Sequence, residues 1–467
     1  MQLATAPPGA RRSPVSADRT VPALTFKIGQ YPVHSGGVGA IRTLGRLGVP
    51  VYAVTEPGLV PAAASRYCSG RFVWRATGRE DPDQLAARLM AVGRRIGRPS
   101  VIVPLDDEAA VLVAEHAADL AEYFLFPRVP AGLPRQLASK PGLFRLCRSH
   151  GVPAPASVVP ATSAELADFA AKAAFPVVAK NAEPWERRRR PVVPGTTVLR
   201  GPEQLLGLLR PDGGPPGVIL QEYLPPEHSQ DWIVHLYSDA ETSCVALYTG
   251  LKVRSWPPQA GVTACARVLA NPDLAAITER FCKEIGFRGI ADLDWRLDLR
   301  DGQYKLVDFN PRAGNQFRLF ESEAGVDVVR AQHLDLTGRA VPGGAAISGR
   351  QIVVEHIDVA AKLAYARLRR RARLAEPARL AEPGQPAQLA HPARPVRCAR
   401  PAQSARQSLA DRAPPRPTST EFAWLAADDP GPFLVMLCRL AGPAAASLSR
   451  VFRPLARASR SRSDAQC

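Results

Sequence analysis

The sequence contains no Cys-x-x-Cys pair and no Cys/His cluster; its eight cysteines, at 68, 147, 244, 265, 282, 398, 438 and 467, are scattered. That excludes the usual zinc and iron–sulfur ligand spacings, and isolated thiols fit a reduced, cytoplasmic setting. No uninterrupted apolar run reaches the roughly 18 residues that a spanning helix needs. Residues 1–22 are Pro-, Ala- and Arg-rich and lack the apolar core of a secretory leader. Lysine is absent from Arg367 onward, where 18 Arg and 7 acidic residues concentrate +11 of the chain's formal +17. The longer body before it is only mildly basic. It carries no basic stripe interleaved with aromatics, which argues against a specific nucleic-acid partner.

What is present centres on Gly289–Gln316, which reads as two alternating strands around a turn at Arg300-Asp301-Gly302. Ile290, Asp292, Asp294 and Arg296 share one face of the first strand; Leu306, Asp308 and Asn310 share one face of the second. A three-residue loop with Gly302 in the left-handed position pairs Leu299 with Gln303, hence Asp294 with Asp308 and Asp292 with Asn310. A two-residue Asp-Gly turn shifts the register by one and sends those carboxylates to opposite faces. Facing carboxylates repel. A hard divalent cation relieves that, because magnesium takes carboxylate and carbonyl oxygens and leaves positions for phosphate. A hairpin whose polar side faces water is the plain alternative.

Upstream, Ala23–Ile28 reads as a strand, Gly36-Gly37-Val38-Gly39 as a loop, Ala40–Leu47 as a helix and Val49–Val54 as a strand. The glycines lack the full Gly-x-Gly-x-x-Gly spacing, so a packing turn is favoured over a dinucleotide site. With a helix at Asp83–Ile96, a strand at Ser100–Pro104 and a helix at Asp106–Leu120, residues 23–130 read as an α/β domain with a mostly parallel sheet. Lys140 precedes a helix ending at the extended connector Gly151-Val152-Pro153-Ala154-Pro155. After a helix at Ser163–Ala173, strand Pro176–Lys180 ends on a lysine, which is costly beside apolar neighbours unless it meets an anion or reaches water. Arg187–Arg190 then reads as a phosphate clamp or a solvated run.

Gly217–Leu224 reads as a strand stopped by Pro225-Pro226, followed by strands Asp231–Tyr237 and Ser243–Thr249. The basic extended piece Leu251–Pro258 includes Lys252 and Arg254, which suit an anionic substrate. With helix Leu274–Ile285, residues 219–310 form an antiparallel sheet with an inserted helix. A helix at 326–336 and a strand at Gln351–His356 follow. From Arg367 to about Ser419, an Ala/Pro/Arg/Gln composition with Arg-Leu-Ala-Glu-Pro at 373–377 and 379–383 predicts disorder. Glu421–Leu440 is apolar again, and Phe433–Leu455 reads as a basic amphipathic helix that docks on the body or lies on an acidic membrane surface.

The order of these features resembles the ATP-grasp superfamily, and within it the carboxylate–amine ligases grouped with D-aspartate ligases, over about residues 23–340. The carriers are Lys140, the Gly-Val-Pro-x-Pro connector, Lys180, Gln221-Glu222-Tyr223-Leu224, Asp231, the Asp294/Asp308/Asn310 set and Asn310-Pro311-Arg312. The resemblance implies an α/β and α+β architecture. A Rossmann-like pre-ATP-grasp domain (23–130) precedes a two-lobed ATP-grasp fold (131–217 and 218–366), a disordered basic segment (367–419) and a C-terminal helical segment (420–467).

The resemblance also implies roles. Lys140 and Lys180 would contact ATP phosphates, and Lys180 would also assist catalysis. Gln221, Glu222, Tyr223 and Leu224 would hold the adenine, and Asp231 the ribose, with Glu227 the alternative. Asp294, Asp308 and Asn310 would bind Mg2+ (or Mn2+), and Arg312 would face the transferred phosphoryl group. The expected partners are a small carboxylic acid or amino acid and an amine acceptor, with peripheral membrane contact through the basic C-terminal segment as an accessory. A catalytically silent nucleotide-binding scaffold is the alternative. The pattern departs from its relatives in using Asp rather than Glu at 294 and 308, and in placing arginines where others have a glycine-rich phosphate cover. No general base is evident; His228 and His235 read as structural.

Overall fold

The computed structural model describes residues 15–184, 191–209, 216–379 and 416–441, the side chains of 371–379 excepted. The Arg187–Arg190 run, most of the Ala/Pro/Arg stretch and the second half of the expected C-terminal helix lie outside the described residues.

The N-terminal domain is a parallel sheet of five strands in the order Cys68–Val73, Val51–Thr55, Ala23–Phe26, Ser100–Pro104, Phe124–Leu125. Its chain order reverses direction between Ala23–Phe26 and Ser100–Pro104, and the crevice beyond those two carboxyl ends is where open α/β sheets bind ligands. The glycine segment expected as a loop is instead the first turn of helix Ser35–Gly45, where His34 Nδ1 accepts a bond from Gly37 N at 3.0 Å. A Cβ on Gly36 would sit 3.1 Å from the Gly314 carbonyl oxygen, and one on Gly39 3.0 Å from Arg318 Cγ. These glycines bring a helix against the segment after Arg312. The helix expected over Asp106–Leu120 breaks at His116 into Asp107–Glu115 and Ala117–Leu120.

A smaller antiparallel sheet of four strands follows, in the order Ser157–Val158, Val218–Glu222, Val177–Asn181, Thr197–Leu199. Val218–Glu222 pairs with Val177–Asn181, setting Ile219 opposite Lys180, so it belongs to this sheet and not to the larger one. The larger sheet has seven strands: Gln303–Asn310, Gly289–Asp298, Ser229–Ser238, Cys244–Trp256, Val262–Val268, Arg350–Val353, Ser419–Phe422. All its neighbours are antiparallel except the last pair. One face packs Trp232, Trp295 and Phe309 against helix Pro272–Glu284. The other buries Tyr237, Tyr248 and Phe320 together with Ala40, Ile41 and Val101, so a shared core joins this sheet to the N-terminal domain.

Two expectations fail at the C-terminal side. Residues 367–379, read as disordered, continue helix Glu355–Arg379. Ala, Leu and Arg favour helix even without a core to bury, and Glu355 anchors the start by accepting from Trp424 N and Leu425 N at 3.1 and 2.8 Å. The segment after 416 opens with a strand before a helix over 431–441. That helix docks on the body: Met436 is buried, and Arg439 Nε donates to the Leu59 carbonyl at 2.7 Å. No described helix is long and apolar enough to cross a membrane.

The central hairpin has the expected register at the site by a different route. The turn spans four residues, so Asp298 faces Gln303 and Trp295 faces Leu306. A bulge at Val307 then restores the offset, so Asp294 faces Asp308 and Asp292 faces Asn310. The extra residue flips the alternation. Leu306, expected beside Asp308, joins Phe309 in the core, and Val307 joins Asp308 and Asn310 in the cavity wall.

Candidate active site

The three parts enclose a cavity of about 910 Å³. The smaller sheet contributes Lys180, Gln221 and Glu222, with Leu224 just beyond it. The larger sheet contributes Asp231, Lys252, Asp292, Asp294, Arg296, Asp308 and Asn310, with Arg312 after it. The crevice of the N-terminal sheet contributes Tyr31, His34, Asp106 and Asp107. Strand pairing explains the clustering: Asp231 faces Arg296, Asp294 faces Asp308 and Asp292 faces Asn310, so these side chains rise from one face of the sheet while Leu293 and Phe309 face the core.

The wall is densely charged. Lys252 Nζ lies 2.8 Å from Asp294 Oδ1, Lys140 Nζ bonds Asp308 Oδ1, and Arg296 Nε donates to Asp231 Oδ1 at 2.6 Å. Arg312 is gripped from two sides, with Nε 3.3 Å from Asp107 Oδ1 and Nη1 3.3 Å from Asp292 Oδ2. Asn310 Nδ2 donates to the Asp292 carbonyl at 3.0 Å, which leaves its own amide oxygen as an acceptor. Lys180 differs from these: its Nζ is buried and makes no hydrogen bond. Burial, reinforced by the charge of Lys140, lowers its pKa to about 7. Burial would raise the Asp294 carboxyl, but Lys252 and Lys180 hold it below the ordinary range. Burial raises Asp107 and lowers His235.

No protein-family model matches the sequence. The structure is similar to the N5-carboxyaminoimidazole synthetase of Staphylococcus aureus, with a TM-score of 0.52 at 10% identity over 72% of this chain and 82% of that one. It is also similar to the biotin carboxylase domain of the Hydrogenobacter thermophilus 2-oxoglutarate carboxylase, solved with MgADP. There the TM-score is 0.50 at 16% identity over 69% of this chain and 71% of that one. This chain has the ATP-grasp fold. By sequence it is similar to the D-aspartate ligase of Enterococcus faecium, 22% identical over 245 residues, which are 49% of this chain and 57% of the ligase. The chain thus spans little more than half of that relative.

Within the ATP-grasp frame, Lys180, Gln221, Glu222, Leu224, Asp231, Asp294, Asp308, Asn310 and Arg312 come together around one cavity. Lys140 stands behind it, held on Asp308, and Tyr223 is outside the lining. The Glu222 carboxylate is engaged by Arg300 at 2.6 Å and Lys305 at 3.3 Å, so its side chain is already paired. Arg254, expected to suit an anionic substrate, turns away and donates to Asp358 at 2.7 Å; Lys252 does line the cavity. Sequence reasoning missed Tyr31, His34, Asp106 and Asp107, and gave Asp292 no role toward Arg312. The available signal was the rule that open α/β sheets bind at the carboxyl ends of the strands where chain order reverses.

Proposed function

We propose that this protein is an ATP- and magnesium-dependent ligase that activates a carboxylate as an acyl phosphate and joins it to an amine, releasing ADP and phosphate. The observation that carries the reading is the buried, unpaired ammonium of Lys180 in the same cavity as the facing carboxylates Asp294 and Asp308. A polyphosphate would supply the anion that Lys180 lacks, and its cation would take over the carboxylates now held by Lys252 and Lys140. The donor set fits: Asp294, Asp308 and the Asn310 amide oxygen would hold Mg2+ or Mn2+. Among the described residues no group of three or more His, Cys, Asp or Glu is arranged to hold a metal, so phosphate oxygens would complete the shell. An ion held there would supply charge neutralisation for the phosphates.

The chain's own residues then position and polarise. Gln221, the Glu222 backbone and Leu224 flank the base, Asp231 the ribose, and Lys180 the phosphates, with Lys140 beside them on Asp308. A carboxylate oxygen attacks the γ-phosphorus and ADP departs; the amine attacks the acyl carbon, phosphate departs, and the amine proton leaves with it. Arg312 faces the phosphoryl group in both steps and stabilises its charge. Similarity to a D-aspartate ligase supports an amino acid as the carboxylate.

The test is incubation with ATP, Mg2+, hydroxylamine and single amino acids beginning with D-aspartate. ADP, phosphate and an amino-acid hydroxamate are expected together, because hydroxylamine traps an acyl phosphate whatever the natural acceptor. AMP and pyrophosphate as products would overturn the mechanism. Nucleotide binding without hydroxamate across the amino acids would favour a silent scaffold.

A further inference from the structure

Arg312 stands at the junction of the two domains, and each of its nearest carboxylates comes from a different one. Asp107 opens a helix of the N-terminal domain, and its Oδ1 lies 3.3 Å from Arg312 Nε. Asp292 comes from strand Gly289–Asp298 of the larger sheet, and its Oδ2 lies 3.3 Å from Arg312 Nη1. Asp292 is itself confined. Its Oδ1 is 3.2 Å from Nε2 of the fully buried His235, and its carbonyl takes the Asn310 amide. A Cβ on Gly314 would collide with the Asp292 carboxylate and lie 2.7 Å from His235 Cε1. The chain therefore leaves Asp292 one place to sit.

We propose that Asp292, walled in by His235 and Gly314, and Asp107 of the N-terminal domain are positioning residues that hold the Arg312 guanidinium across the domain boundary. This deepens the ligase reading and rests on it for the role of Arg312. The geometry explains why two carboxylates surround a catalytic cation. A guanidinium presents its donors in a fixed planar fork, so the hydrogen bond to Asp292 Oδ2 on one side and the Asp107 charge on the other set its orientation, and its remaining N–H groups are left for the phosphoryl oxygens. It also explains the burial of Asp292, which would be wasteful for a surface ligand of the metal.

Asp292→Asn and Asp107→Asn are each expected to lower the maximal rate of hydroxamate formation about 10- to 100-fold, the size of effect that misplacing a positioned group produces, with the KM for ATP within about twofold. Gly314→Ala, which leaves both carboxylates in place but pushes Asp292, should fall in the same range. In an Arg312→Gln background, Asp292→Asn should reduce the rate no further.

A substrate-free arm separates this inference from the ligase reading. Asp292→Asn should lower the melting temperature in the wild-type background, and should raise it or leave it unchanged in Arg312→Gln, where the buried carboxylate has lost its partner. That coupling in a protein that forms no hydroxamate would overturn the ligase reading and keep the Arg312 anchorage. Additive melting shifts would overturn the anchorage. So would a magnesium requirement raised by Asp292→Asn, which would make Asp292 a ligand of the ion.

Discussion

Two buried charge networks in this molecule differ in how completely they are satisfied. Around Asp429, Arg42 Nε donates at 2.9 Å, Ser65 Oγ at 2.7 Å and Arg66 N at 2.8 Å, and Arg42 Nη2 also donates to the Trp424 and Asp429 carbonyls. Both Asp429 carboxylate oxygens have partners within the chain. In the cavity, Lys180 Nζ has none, and Asp294 and Asp308 are held by lysines. A closed network fixes a fold; an open one keeps free energy in reserve for a ligand.

The comparison predicts graded outcomes. Asp429→Ala leaves Arg42 buried without its carboxylate and should destabilise the protein by about 3–5 kcal/mol, the usual loss on removing one partner of a buried pair; thermal melting checks it. Asp308→Asn takes the carboxylate from the largely buried Lys140, so it should cost some stability but less than Asp429→Ala, while reducing ATP-dependent hydroxamate formation about 10²- to 10³-fold. A large loss of stability instead would mean that the site's charges are structural after all.

Lys180→Met should weaken ATP binding about tenfold and stabilise the nucleotide-free protein, because an unpaired buried ammonium is removed. The pH sign follows from its pKa, depressed by burial to about 7 from the ordinary lysine value of 10.5. Between those values the unfolded chain holds the proton and the folded chain does not, so stability rises with pH across that window. Lys180→Met should flatten that rise, and should also flatten the fall in ATP affinity above pH 7, where the ammonium must first regain its proton. Melting and titration calorimetry at pH 7 and 9 read both. The smallest effect belongs to Asp428→Asn. Its ion pair with Arg46, at 2.8 Å, is substantially exposed, so the loss should stay below about 1 kcal/mol.

Much of the site was legible because it lies on strands, where alternation places side chains from spacing alone. Asp294, Asp308 and Asn310 were placed on one face that way, and Lys180 stood out as a charge closing an apolar strand; all four line the cavity. The hairpin register came out right although the turn is one residue longer than expected, since the bulge at Val307 cancels the difference; single-sequence reasoning sees neither event. The assignment of Val218–Glu222 to the wrong sheet has a similar origin: apolar alternation marks a strand but not its neighbours. Asp107 and Tyr31 were missed because their approach to Arg312 depends on how two domains pack. The helix through 379 was missed because composition was weighed above propensity.

The Arg42–Asp429 bond joins residues 387 apart in the chain. At typical elongation rates of about 5–20 residues per second, roughly 20–80 s separate the appearance of the two side chains during synthesis. Through that interval Arg42 is without the carboxylate, and the last described segment is what seals the first domain. The N-terminal domain therefore gains its contacts with Trp424 and Met436, through Val38, only after that interval.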